Sequence, residues 1–112
     1  MEHVTDQSVV VTGATAGIGF QTALDFAASG AYVIGVGRSP QRCTEATNKI
    51  RSQIPDARVE FLTADLSSQQ QVRGLASQID QLLEKNHFKS LNVLVNNAGV
   101  YMGKKEMTTD GI

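Results

Sequence analysis

The 112 residues carry 10 basic and 11 acidic side chains for a net charge of −1, with 41% apolar and 19% charged residues. That size fits one domain or part of one, and the balance excludes both a basic nucleic-acid surface and an acidic interaction tail. Cys43 is the only cysteine, which rules out an internal disulfide and fits a reducing compartment. No apolar run approaches the roughly 18 residues of a membrane span, and Met1–Asp6 lacks the basic and apolar regions of a signal peptide. The expectation is a cytoplasmic protein without membrane contact. With no repeat, low-complexity tract or linker, residues 1–112 read as a single domain.

Ser8 to Thr12 holds the run Val9-Val10-Val11, the pattern of a strand covered on both faces. Gly13, Gly17 and Gly19 then allow a tight turn and the close approach of a bound group. Phe20, Ala23, Leu24, Ala27 and Ala28 follow at helical spacing, and Gly30 stands where a glycine ends a helix. Tyr32 to Val36 is a second strand. Ser39-Pro40 opens a helix with serine as N-cap and proline in the first turn, burying Cys43, Ala46, Ile50 and Ile54. Arg58 to Thr63 is a third strand, with Val59 and Phe61 on one face. Ser67-Ser68-Gln69-Gln70 fits a capping box, in which Ser67 caps and Gln70 answers. Val72, Leu75, Ala76, Ile79, Leu82 and Leu83 then run at helical spacing to about Lys85. Leu91 to Val95 is a fourth strand and opens into Asn96-Asn97-Ala98-Gly99.

Strands alternating with helices predict an α/β fold, a doubly wound parallel sheet with helices on both faces. Right-handed crossovers favour the order 3-2-1-4, which places a switch point between strands 1 and 4. The glycine turn and the Asn96–Gly99 segment both fall at that edge. The helix after the turn aims its N-terminus at the same place, where free N–H groups and the helix dipole favour phosphate.

The spacing Gly13-x-x-x-Gly17-x-Gly19, with Thr12 before it, Arg38 after strand 2, Asp65-Leu66 after strand 3 and Asn96-Asn97-Ala98-Gly99 after strand 4, closely resembles the short-chain dehydrogenase/reductase family along the whole chain. Thr108–Ile112 looks most like its retinol-dehydrogenase-like branch. The resemblance implies a Rossmann-type NAD(P)-binding domain truncated after strand 4, the N-terminal portion of a longer fold. It implies hydride transfer between a nicotinamide and a carbonyl or alcohol substrate, and leaves room for a homo-oligomer of the full-length protein. The expected cofactor contacts are Gly13, Thr15, Ala16, Gly17, Ile18, Gly19, Arg38, Ser39, Asp65, Leu66, Asn97, Ala98 and Gly99.

Cofactor choice turns on Arg38. An NAD site holds the ribose 2′-hydroxyl with an acid at the end of strand 2. Gly37 stands there, and the guanidinium beside it can hold a 2′-phosphate bidentately. NADP(H) is therefore the preferred ligand and NAD(H) a second, although Ala16 stands where many NADP-dependent relatives carry a basic residue. Asp65 is expected to accept from the adenine amino group, to favour the next helix N-terminus, or both. Asn97 either supports the turn or touches the ligand, and Thr12 is expected to bond local backbone rather than cofactor. His3 and His87 lack partner ligands, so no metal is expected.

The family's catalytic Ser and Tyr-x-x-x-Lys pair belong further along, on strand 5 and its helices. Tyr101-Met102-Gly103-Lys104-Lys105 matches that spacing, but Gly103 interrupts it and no apolar periodicity makes it a helix, so no catalytic residue is assigned. The alternative for this chain is a catalytically inactive dinucleotide-binding fragment or regulatory module. Alone, residues 1–112 are expected to be marginal in stability, with strand 4 an exposed edge.

Overall fold

The computed structural model describes residues 7–97. Ala98 and Gly99, with Tyr101 and Lys105, lie outside them. Among the described residues seven elements alternate: β1 (Ser8–Thr12), α1 (Gly17–Ala28), β2 (Tyr32–Gly37), α2 (Pro40–Gln53), β3 (Val59–Thr63), α3 (Gln69–Lys85) and β4 (Val93–Val95). The strands form one sheet in the order β3-β2-β1-β4, every pairing parallel. This is the doubly wound Rossmann-type arrangement, with the switch point between β1 and β4.

The period-two alternation of a strand sorts the valines between two cores. Val9, Val11, Val33 and Val59 pack with Ala23 and Ala27 of α1 and Ile50 of α2. Val10, Ile34 and Val36 face the other way, onto Leu75 and Leu83 of α3. Every residue of β1 and β2 is buried, which is why Val9–Val11 and Tyr32–Ile34 read as apolar runs. Each such valine or isoleucine contributes about 1.5–3 kcal/mol on burial.

Helix ends follow local chemistry. Gly30, at φ 94°, closes α1 with Gly30 N–H donating to Ala27 O and Ala31 N–H to Phe26 O, a Schellman ending. Ser39 caps α2 and accepts from Arg42 N–H, with Pro40 in the first turn. The cap of α3 sits one residue later than the Ser67–Gln70 box: Ser68 accepts from Gln71 N–H, and the Gln71 side chain accepts from Asp65 N–H at 2.7 Å. Ser67 is unavailable because its amide and hydroxyl both donate to Asp65 Oδ1, at 3.0 and 2.7 Å.

The apolar stripes are only partly covered among the described residues. Ala28 and Ala76 are exposed, and Val72 is 40% exposed. β4 begins at Val93, later than Leu91, because Asn92 bonds across the sheet end: its Oδ1 accepts from Ser8 N–H at 2.9 Å. Among the described residues β4 is an edge strand, and Leu94 is 51% exposed there. At the opposite end of β2, the Tyr32 hydroxyl donates to Glu60 at 3.1 Å and its ring stacks on Phe88 at 5.4 Å. Burial, and then the charge of Glu60, push the Tyr32 pKa upward, so this phenol stays protonated.

Candidate dinucleotide site

The site sits beyond the C-terminal ends of β1, β2 and β4. Its floor is the turn between β1 and α1. Gly13 and Gly17 have φ near 60°, the left-handed region that glycine enters without steric cost. Ala14 N–H donates to Val36 O at 3.1 Å and pins the turn to the end of β2. Ala16 is the N-cap of α1 in extended conformation, and no side chain caps the helix. The amides of Gly17, Ile18 and Gly19, which have no intrahelical acceptor, are thus left for an external anion. A Cβ at Gly17 would meet nothing within 4 Å, so the space above the turn is open. Ile18, next in the first turn of α1, is 77% exposed. A diphosphate fits this cradle: donors without partners, a positive helix end and room for the ligand.

Gly19 performs a different task. It is buried, and a Cβ there would collide with the Gly13 carbonyl oxygen and lie 2.7 Å from Asn97 Nδ2. Its lack of a side chain lets α1 close onto the turn.

The wall from β4 is held by Thr12, which bonds backbone and side chain at the end of that strand rather than within its own turn. Its hydroxyl donates to Asn96 Oδ1 at 3.0 Å and accepts from Asn97 N–H at 2.9 Å, partners more than eighty positions away in sequence. Asn97 Nδ2 reaches the Gly13 carbonyl at 3.5 Å. Thr12, Gly13, Gly19 and Asn97 thus form one contact set, and Asn97 is engaged as support for the turn. Sequence reasoning missed the Thr12–Asn96 bond. The available signal was the Asn doublet directly after strand 4, once that strand is placed beside strand 1. A Thr12→Val protein keeps the shape but leaves Asn97 N–H and Asn96 Oδ1 without this partner, costing about 1–3 kcal/mol. Its melting temperature is expected to fall by about 5 °C. An unchanged melt would remove the clamp.

Arg38 and Ser39 follow β2. Arg38 is exposed, and the Ser39 hydroxyl is engaged as the cap of α2. Thr15 lies half-buried against the end of β2, beside Gly37 and Cys43. Asp65 and Leu66 follow β3, with Leu66 packed on the α3-side core. Asp65 Oδ1 is occupied by Ser67, and no described bond takes Oδ2. The Ser67 hydroxyl, then its amide, hold the Asp65 carboxyl below the usual carboxylate range, and the Arg38 charge acts in the same direction. Arg38 and Asp65 follow the ends of the neighbouring strands β2 and β3. Among the described residues, no group of three or more His, Cys, Asp or Glu could hold a metal ion, and no helix is long and apolar enough to cross a membrane.

The sequence profile of the short chain dehydrogenase family matches residues 7–111. The chain is 40% identical over 110 residues to a WW domain-containing oxidoreductase of Danio rerio, covering 98% of this chain and 26% of that protein. It is 37% identical over 108 residues to a polyprenol dehydrogenase of Homo sapiens, covering 95% of this chain and 31% of that protein. The chain thus spans roughly a quarter to a third of the length of these relatives. Among solved structures, it resembles an NADPH-bound short chain oxidoreductase of Pseudomonas aeruginosa PAO1, described as containing an atypical catalytic centre. The TM-score is 0.79 at 30% identity, over 89% of this chain and 37% of that one.

Proposed function

The chain belongs to the short-chain dehydrogenase family, and from that premise we propose that it holds the adenosine diphosphate half of NADP(H), with NAD(H) the weaker ligand. The whole protein would transfer hydride between the nicotinamide and a carbonyl or alcohol substrate, and residues 1–112 would be the N-terminal portion of its dinucleotide-binding domain. The bound dinucleotide supplies the hydride donor or acceptor; the residues here bind and orient it. The amides of Gly17, Ile18 and Gly19 receive the diphosphate. Asp65 Oδ2 accepts from the adenine amino group, with the Leu66 backbone alongside. Asn97 borders the ribose side.

The observation that carries the choice of NADP(H) is the end of β2. Gly37 offers no carboxylate to a 2′-hydroxyl, and the exposed Arg38 follows at once. A guanidinium there favours a 2′-phosphate that an acid would repel. The NADPH in the Pseudomonas oxidoreductase supports the same assignment. Titration with NADPH and NADH, followed by thermal protection, tests it. NADPH should bind at least about tenfold more tightly, a difference of about 1.4 kcal/mol. The advantage should shrink as salt screens the extra phosphate charge. Equal affinities at low salt would refute the preference, and binding of neither would refute the dinucleotide assignment.

A further inference from the structure

Gly37 is buried at the last position of β2, where it pairs with Thr63 and its carbonyl accepts from Ala64 N–H at 2.9 Å. The space a side chain would need is already filled. A Cβ at position 37 would lie 2.5 Å from Thr15 Cγ2, 3.0 Å from Cys43 Sγ and 3.7 Å from Thr15 Cβ. The first distance is below any that real Cβ atoms adopt, the second is tight, and the third is an ordinary contact. The severe obstacle is therefore the Thr15 methyl group, with the Cys43 thiol a lesser one. The Thr15 backbone can retreat only by straining the Ala14 N–H to Val36 O bond, which ties the turn to β2 immediately beside it; otherwise the methyl must rotate about χ1, where threonine is stiff. Cys43 has little freedom either, with its thiol placed 3.7 Å from both Leu62 O and Thr63 Oγ1.

We propose that Thr15 is a specificity-determining residue: its methyl group reserves the end of β2 for glycine and so bars the carboxylate that would read a 2′-hydroxyl. Arg38 attracts the 2′-phosphate, whereas Thr15 prevents the competing recognition from being installed by a substitution at position 37 itself. The ligand class is a dinucleotide with a 2′-phosphorylated adenosine, and this part rests on the function proposed above. The steric part does not, since it follows from the packing of Thr15 against Gly37.

The test is a double-substitution cycle in the full-length protein. Gly37→Asp alone should weaken NADPH without producing useful NADH binding, because the new Cβ displaces the turn that seats the diphosphate. Thr15→Ala/Gly37→Asp removes the obstructing methyl, and NADH should then bind at least about tenfold better than to Gly37→Asp, since relief of overpacking is of that size. Equal NADH affinity in Gly37→Asp and in the double variant would overturn the proposal. Melts without cofactor read the packing independently. Gly37→Ala should lower the melting temperature by about 5 °C, and Thr15→Ala/Gly37→Ala should recover most of that loss. Absence of recovery would overturn the gate even if NADPH binds. If the parent protein binds neither dinucleotide but the melts show recovery, the functional reading fails and the steric relation stands.

Discussion

A Gly19→Ala protein should lose dinucleotide binding and melt about 10 °C below its parent, if it folds at all. The added methyl would meet the Gly13 carbonyl oxygen, a backbone atom that cannot swing aside like the end of a long side chain. Relief requires α1 to move off the turn or the turn to move off β2, and either displaces the amides of Gly17 and Ile18 that face the diphosphate. The Asn97 amide, 2.7 Å from the same methyl, would be pushed from the Gly13 carbonyl as well. Overpacking of this kind costs about 3 kcal/mol or more, which sets the scale of the melting shift. Gly74→Ala is the matched control. It lies exposed on α3, a Cβ there meets nothing within 4 Å, and the substitution should stabilise the helix by about 0.5–1 kcal/mol. Paired melts with and without NADPH check both. A Gly19→Ala protein that binds NADPH within about threefold of the parent, well under 1 kcal/mol, would show that the close approach is dispensable.

Arg38→Asp should invert the cofactor preference. Loss of a charged, bidentate partner removes about 1.5–3 kcal/mol from NADPH binding, or roughly 10- to 100-fold in affinity. The introduced carboxylate adds repulsion against the 2′-phosphate. For NADH the same carboxylate is an acceptor for the 2′-hydroxyl. Position 38 is exposed, so Thr15 does not obstruct a side chain there. Asp65 would register the change too, because Arg38 is one of the groups that lower its pKa. An aspartate at 38 should let that pKa rise, by replacing an attractive charge with a repulsive one. Dissociation constants for both cofactors check the result; an unchanged ratio would remove Arg38 from the recognition of the ribose.

Residues whose structure depends on near neighbours were legible in the sequence. Ser8–Thr12 reads as a buried strand because its valines need no partner identified to be apolar on both faces. Ser39-Pro40 starts α2 where expected, because a cap and a fixed φ act within one turn. The order β3-β2-β1-β4 followed from the alternation of elements and the handedness of crossovers. The shifted cap of α3 shows how a local rule fails among equivalent neighbours. Two serines stood in tandem, and Asp65 captured the first, leaving Ser68 to cap. The identity of Thr12's partners was not legible, since it requires the register of β1 against β4. Nor was the contact of Thr15 with Gly37, which depends on how the turn lies over the end of β2. Phe61 lies over Gly35 in the same manner, a pairing across β2 and β3 with no trace in either segment alone.

The Thr12 clamp has a kinetic consequence. Thr12 and Asn96 are 84 positions apart, so this corner forms only after most of the chain has been gathered. Closing so long a loop costs about 4 kcal/mol in chain entropy from its length-dependent part. The β1–α1–β2 unit closes through nearby contacts, whereas this corner of the pocket carries the long-loop cost. Its β4 wall is also the shortest seam of the sheet, with Val9, Val10 and Val11 set against Val93, Leu94 and Val95. A dinucleotide that binds only the closed corner would oppose its opening by mass action, by about 2.7 kcal/mol at a hundred times its dissociation constant. Cofactor concentration would then set how long β4 stays docked, and the ligand would serve as the last piece of the fold.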